Sequence, residues 1–163
     1  MKNKFSVLLI AHSGLIAAVY VVLTFLFAPI SFGSVQVRVA EALTILPLFT
    51  PAAVPGLFVG CLLGNILGGA ILPDIIFGSL ATLIGAVLGY MLRKNRWLVP
   101  VPAVISNTVI VPLVLLYGYG VNLPLPVIAL IVLIGEVLGC VVLGELLATL
   151  LLRYGKRFFG NGQ

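Results

Sequence analysis

A chain of 163 residues, 62% hydrophobic and 8% charged, cannot cover itself with the roughly 25% of charged residues usual in soluble domains. Its mean hydropathy is +1.31, and nine basic against four acidic residues leave a net charge of +5. These values exclude a soluble enzyme, a nucleic-acid binder and a disordered chain, and they make lipid the solvent. At about 20 apolar residues per crossing, the length accommodates about six transmembrane helices in a single all-α integral membrane domain, residues 1–163. The apolar runs are continuous and do not alternate as barrel strands would.

The first run, residues 7–28, follows Lys2 and Lys4. It exceeds a signal-peptide core and lacks a cleavage site, so it reads as span 1. Ala11, Gly14 and Ala18 give it a stripe of small residues, and the Gly14/Ala18 spacing lets a second helix approach closely. Pro29 and Gly33 end the run. Span 2 (37–49) and span 3 (53–72) share roughly 35 residues, so both are expected to be short or irregular. Prolines at 47, 51 and 55 reinforce that expectation. Span 4 covers 74–92, span 5 covers 97–117 and span 6 covers 125–152. Glycines four apart (Gly60, Gly64 and Gly68; Gly85 and Gly89; Gly135 and Gly139) are expected to close the bundle internally.

Six spans put both termini on one side of the membrane, together with the 2–3 and 4–5 connections. Lys2, Lys4, Arg93, Lys94, Arg96, Arg153, Lys156 and Arg157 collect there, which makes that side cytoplasmic by the positive-inside rule. Arg38 alone falls outside. It opens span 2 three residues before Glu41, close enough to share a helix face.

A charge at the centre of a spanning helix costs about 2.5–3.5 kcal/mol on translocon scales, so each polar group within the spans should face protein, water or ligand. They are Glu41 in span 2, Asn65 in span 3, Asp74 opening span 4, Asn107 in span 5, and Glu136 and Glu145 in span 6. All but Glu145 lie from mid-depth outward, as the lining of an outward-opening cavity would. Nine residues at 100° each set Glu145 on the helix face opposite Glu136, where a structural or subunit-contact role is expected. Phe77 and Tyr117 stand near the outer mouth, where a flat ligand could stack. Tyr119 reads as part of an interfacial belt. Cys61 and Cys140 read as small packing residues, and one histidine, His12, is too few for a metal site. With no phosphate-binding loop and no nucleophile–base set, no cofactor, metal or enzymatic activity is expected.

The segments Phe32-Gly33-Ser34-Val35-Gln36-Val37-Arg38-Val39-Ala40-Glu41-Ala42-Leu43-Thr44, Gly60-Cys61-Leu62-Leu63-Gly64-Asn65 and Asp74-Ile75-Ile76-Phe77-Gly78-Ser79-Leu80-Ala81-Thr82-Leu83, with Asn107 and Gly135-Glu136, resemble the QueT family. That family comprises the queuosine-precursor substrate-binding (S) components of energy-coupling factor transporters. The resemblance implies a multi-pass protein of a prokaryotic plasma membrane that captures its ligand from outside. It also implies a transmembrane coupling (T) component and two cytoplasmic ATPases as partners. The small-residue stripe Ala11, Gly14 and Ala18 would contact the T component, although Gly14 and Val22 depart from the alanines usual in that motif.

The implied ligand is a 7-deazaguanine such as queuine or preQ1. Its guanine-like edge offers two neighbouring N–H donors, which suit a carboxylate: Glu136 first, Glu41 second. Asn65 or Asn107 would read the ring carbonyl and pyrrole N–H, and Asp74 would take the aminomethyl cation of preQ1. Arg38 would orient Glu41 or line the entrance, and Phe77 or Tyr117 would stack on the ring. The alternatives are an S component for another vitamin-like molecule and a stand-alone small channel or secondary carrier.

Overall fold

Proline and glycine positions decide where this apolar chain breaks into helices. The computed structural model describes residues 2–27, of which 2–6 as backbone only, and residues 38–154. Six helices follow in order: α1 Lys2–Leu26, α2 Val39–Leu48, α3 Ala53–Leu67, α4 Leu72–Met91, α5 Val101–Tyr117 and α6 Leu125–Tyr154. A short 3-10 turn, Arg96–Leu98, leads into α5. Helices α4, α5 and α6 each carry proline in their first two positions, where the missing N–H has no intrahelical partner to lose. No strand occurs among the described residues. The connection at 28–37 and the residues beyond 154, with Lys156 and Arg157, lie outside the described residues.

Helices α1, α4 and α6, and α5 together with the 3-10 turn that leads into it, are long and apolar enough to cross a membrane. The expectation of short or irregular spans 2 and 3 holds for both. The ten residues of α2 form a 3-10 helix, and at about 2.0 Å per residue it reaches only ~20 Å. The fifteen residues of α3 reach ~22 Å, against a hydrocarbon core of about 30 Å. The tight winding of α2 has local causes. Pro47 lies inside it and supplies no backbone donor, and the Thr44 hydroxyl donates to the Glu41 carbonyl three residues back at 2.6 Å.

Helices α1, α3, α4, α5 and α6 pack side by side in that order, while α2 packs against α1, α3, α4 and α6. Ala40 through Ile45 are all buried, so α2 is an internal strut rather than a lipid-facing helix. Glycines permit these approaches. A Cβ at Gly60 of α3 would lie 2.7 Å from Tyr20 Cβ of α1, and one at Gly85 of α4 would lie 2.6 Å from Ala103 Cα of α5. A Cβ at Gly139 of α6 would stand 3.0 Å from the Arg38 carbonyl oxygen, so that glycine is what admits the start of α2. Gly68 is exposed at the end of α3 and takes no part. On α1 the stripe of Ala11, Gly14 and Ala18 points the other way: all three are exposed, and Gly14 has open space where a Cβ would stand.

Helix α6 corrects one expectation. Val137–Leu143 is a π-helical stretch, whose wider turns advance less angle per residue than an α-helix. Glu145 therefore comes round to the bundle side, buried as Glu136 is. It pairs with Arg96 at 2.9 Å, and Arg96 also reaches the Thr149 hydroxyl at 3.5 Å. This tie joins the entry of α5 to the far end of α6, on the same side as Arg93, Lys94 and Arg153.

Candidate functional site

At the opposite end of the bundle, polar side chains from all six helices meet. Arg38 sits just ahead of α2 in extended conformation, and its carbonyl accepts the Glu41 N–H at 2.9 Å. Its guanidinium approaches Asp74 of α4, with Nη2 3.8 Å from Oδ2. That separation exceeds a hydrogen bond. The Tyr119 phenol donates to the same carboxylate oxygen at 3.0 Å. Burial, and next the Asp74 charge, raise the Tyr119 pKa, so this phenol stays a protonated donor at neutral pH. Asn65 of α3 donates to the Asp74 backbone carbonyl at 3.3 Å and thereby fastens the α3–α4 corner from behind.

Deeper in the bundle, Asn107 of α5 donates to Glu136 Oε2 at 3.0 Å. The Cys140 thiol, one turn further along α6, lies 3.2 Å from the same oxygen. The Tyr20 phenol of α1 donates to Glu41 Oε1 at 2.5 Å, whereas Glu41 Oε2 is buried with no hydrogen-bond partner. A carboxylate oxygen of Glu41, one of Glu136 and the Cys140 sulfur lie within 4.8 Å of one another. Three of the chain's four acidic residues thus gather where Arg38 is the sole cation among the described side chains.

A void of about 10 Å³, lined by Arg38, Gly78, Asn107, Val111, Val132 and Glu136, lies within this cluster and has room for roughly one water molecule. Val111 follows Asn107 by one turn on α5 and Val132 precedes Glu136 by one turn on α6. The two valines therefore form an apolar layer outward of the Asn107–Glu136 pair. Gly78 keeps the α4 wall open, because a Cβ there would stand 3.0 Å from Asp74 Oδ1 and 3.3 Å from Asn65 Nδ2.

Of the residues singled out from sequence, the structure brings together Arg38, Glu41, Asp74, Asn107 and Glu136, with Asn65 behind them. It does not bring in Phe77 or Tyr117, which are 51% and 81% exposed. On α4, Asp74 and Gly78 share the inward face one turn apart, which turns Phe77 about 80° away from its centre. Tyr117 ends α5 off the face that carries Asn107 and Val111. Tyr119 takes the polar role near the mouth instead. Arg38 faces Asp74 rather than pairing with Glu41, whose partner is Tyr20. Tyr20 is the residue that sequence reading misses. Its signal is position: a tyrosine deep in an apolar run, 1% exposed, is not explained by an interfacial belt and its hydroxyl needs a partner. Cys140 likewise does more than fill space.

A family model described as QueT transporter matches residues 10–153. Among curated relatives, the queuosine precursor transporter QueT of Lactococcus lactis subsp. cremoris (strain MG1363) is 35% identical over 80 residues. That stretch is 48% of this chain and 47% of the relative, so the match spans about half of the relative's length. No solved structure matches the chain. The apolar helices and this match describe a multi-pass protein of a prokaryotic plasma membrane. Because the matched residues run from within α1 almost to the end of α6, the chain belongs to the QueT transporter family.

Proposed function

We propose that this chain is the substrate-binding component of an energy-coupling factor importer, and that it captures a queuosine precursor, a 7-deazaguanine of the queuine or preQ1 kind, from outside. The observation that carries this reading is the convergence of Arg38, Asn107 and Glu136 on one void between the start of α2, α4, α5 and α6. A site in lipid that gathers costly polar groups under an apolar collar has the build of a small-molecule pocket. The name of the Lactococcus relative, a queuosine precursor transporter, supports the ligand class.

The chemistry fits. A deazaguanine presents adjacent ring N–H donors, which carboxylates accept. It also presents a ring carbonyl and, across the ring system, a pyrrole N–H; the Asn107 amide can answer one of them, the carbonyl with its NH2 or the N–H with its oxygen. Val111 and Val132 would flank the flat ring in place of Phe77 and Tyr117. Ligand pockets typically enclose about 300–1,000 Å³, far more than the present void, so binding must part the walls. The Arg38–Asp74 contact is the weakest tie across the mouth and the place where opening begins. Release on the other side needs work that this chain has no phosphate-binding loop to extract. The T component and two ATPases would supply it, and the exposed stripe of Ala11, Gly14 and Ala18 is the surface on which a second helix could dock.

Thermal unfolding of the purified chain in lipid nanodiscs, with and without queuine or preQ1, tests the reading. A ligand at 100 times its Kd stabilises the folded state by about 2.7 kcal/mol. No shift with any 7-deazaguanine would overturn the ligand assignment. Flux into vesicles holding this chain alone, without ATP, would replace the importer component with a self-sufficient carrier.

A further inference from the structure

We infer that Glu41 and Glu136, with Cys140 beside them, form a subsite for the protonated side-chain amine of the ligand, so that the protein selects cationic 7-deazaguanines over neutral ones. This rests on the function proposed above and adds which end of the ligand the acid pair receives.

Charge is the first argument. Arg38 is the only described cation in the cluster and stands 3.8 Å from Asp74, so a single cation serves Asp74, Glu41 and Glu136. The groups that hold Glu41 and Glu136, the Tyr20 phenol, the Asn107 amide and the Cys140 thiol, are neutral donors that orient the carboxyl groups without offsetting their charge. With three carboxyl groups sharing one cation, ionising Glu41 and Glu136 together is costly in this medium unless a second positive charge arrives. An ammonium group supplies it.

Spacing is the second argument. With oxygens within 4.8 Å of each other, the two carboxyl groups address one chemical group, not the two opposite edges of a bicyclic ring. The ring edge carries no formal charge, whereas the amine on the 7-substituent does, so the amine is the better match for the pair. Asp74, nearer the mouth and held by Arg38 and Tyr119, is then not the acid that meets the amine.

The third argument is an unfilled acceptor. Glu41 is 2% exposed, and its Oε2 is the one carboxylate oxygen of the pair that is buried without a hydrogen-bond partner. Gly139 makes the close approach of α2 to α6 possible, since a Cβ there would stand 3.0 Å from the Arg38 carbonyl oxygen. A primary ammonium, with three donors, can bridge Glu41 and Glu136 at once.

The test compares 7-aminomethyl-7-deazaguanine with its 7-hydroxymethyl isostere and with guanine, by calorimetry on the wild-type chain in nanodiscs. The aminomethyl compound should bind about 10- to 100-fold tighter than the hydroxymethyl compound, the range for exchanging a charged for a neutral hydrogen-bond partner. In Glu41→Gln, which keeps an acceptor for Tyr20, that preference should narrow to about threefold or less. Equal binding of the two isosteres by the wild type overturns the subsite while leaving the proposed ligand class standing. Binding of neither overturns both. Stabilisation by zinc ion alone would assign Glu41, Glu136 and Cys140 to a metal and overturn the proposal as well.

Discussion

Replacing Tyr20 by phenylalanine removes one oxygen atom from the bundle interior and leaves the ring, its volume and its packing against Gly60 in place. In the native chain that oxygen donates to Glu41 Oε1, and Glu41 Oε2 already lacks a partner. The variant therefore strands a buried carboxyl group with neither oxygen satisfied. A hydrogen bond to a charged group contributes about 1.5–3 kcal/mol, and leaving the acceptor unmade incurs its desolvation cost as well. We expect Tyr20→Phe to destabilise the protein by about 1.5–3 kcal/mol, roughly a 10- to 150-fold loss in the folded-to-unfolded ratio. Denaturant titration in mixed micelles measures this directly. Tyr117→Phe is the internal control, because that hydroxyl is exposed and its loss should stay within about 0.5 kcal/mol. If the two variants prove equally stable, Tyr20 does not hold Glu41, and the account of the α1–α2 contact fails with it.

Four further outcomes follow from particular contacts. Asn107→Ala takes the donor from Glu136 Oε2 and should weaken 7-deazaguanine binding by about tenfold or more, whereas Phe77→Ala and Tyr117→Ala should leave affinity within about twofold; isothermal titration separates the two classes. Gly60→Val drives a side chain into Tyr20 and should cost about 1–3 kcal/mol or more of stability, read by the same denaturant titration. Gly14→Val meets no neighbour and should leave the stability of the isolated chain unchanged, yet abolish energised uptake in cells if α1 docks the T component; normal uptake would remove that surface from the assembly. Arg96→Gln leaves Glu145 buried without its cation. It should destabilise by less than the 3–5 kcal/mol typical of a fully buried pair, because Arg96 keeps a third of its side chain exposed, and Glu145→Gln in the same chain should recover most of the loss.

Much of this was legible in the sequence because lipid is an intolerant solvent. Each polar group within an apolar run must be answered by something, so Glu41, Asn65, Asp74, Asn107 and Glu136 announce themselves by composition alone. Their position along each run already places them toward one end of the bundle. The prolines at 47, 51 and 55 mark where spans 2 and 3 fail to reach full length. The glycine repeats, Gly68 apart, mark where helices touch.

What composition and spacing determined, then, was the number of helices, their irregular pair and the end of the bundle where charge gathers, since those follow from the cost of moving polar groups and broken backbone into hydrocarbon. Which side chains share that end was decided only by winding and rotation. The 3-10 turns of α2, the π-helical stretch that brings Glu145 inward and the outward swing of Phe77 and Tyr117 all depend on how neighbouring helices pack. Tyr20 meets Glu41 across two helices, and such a hydrogen bond has no local signature. A helix's angle about its own axis is set by the surfaces it packs against, and no count along the chain contains that angle.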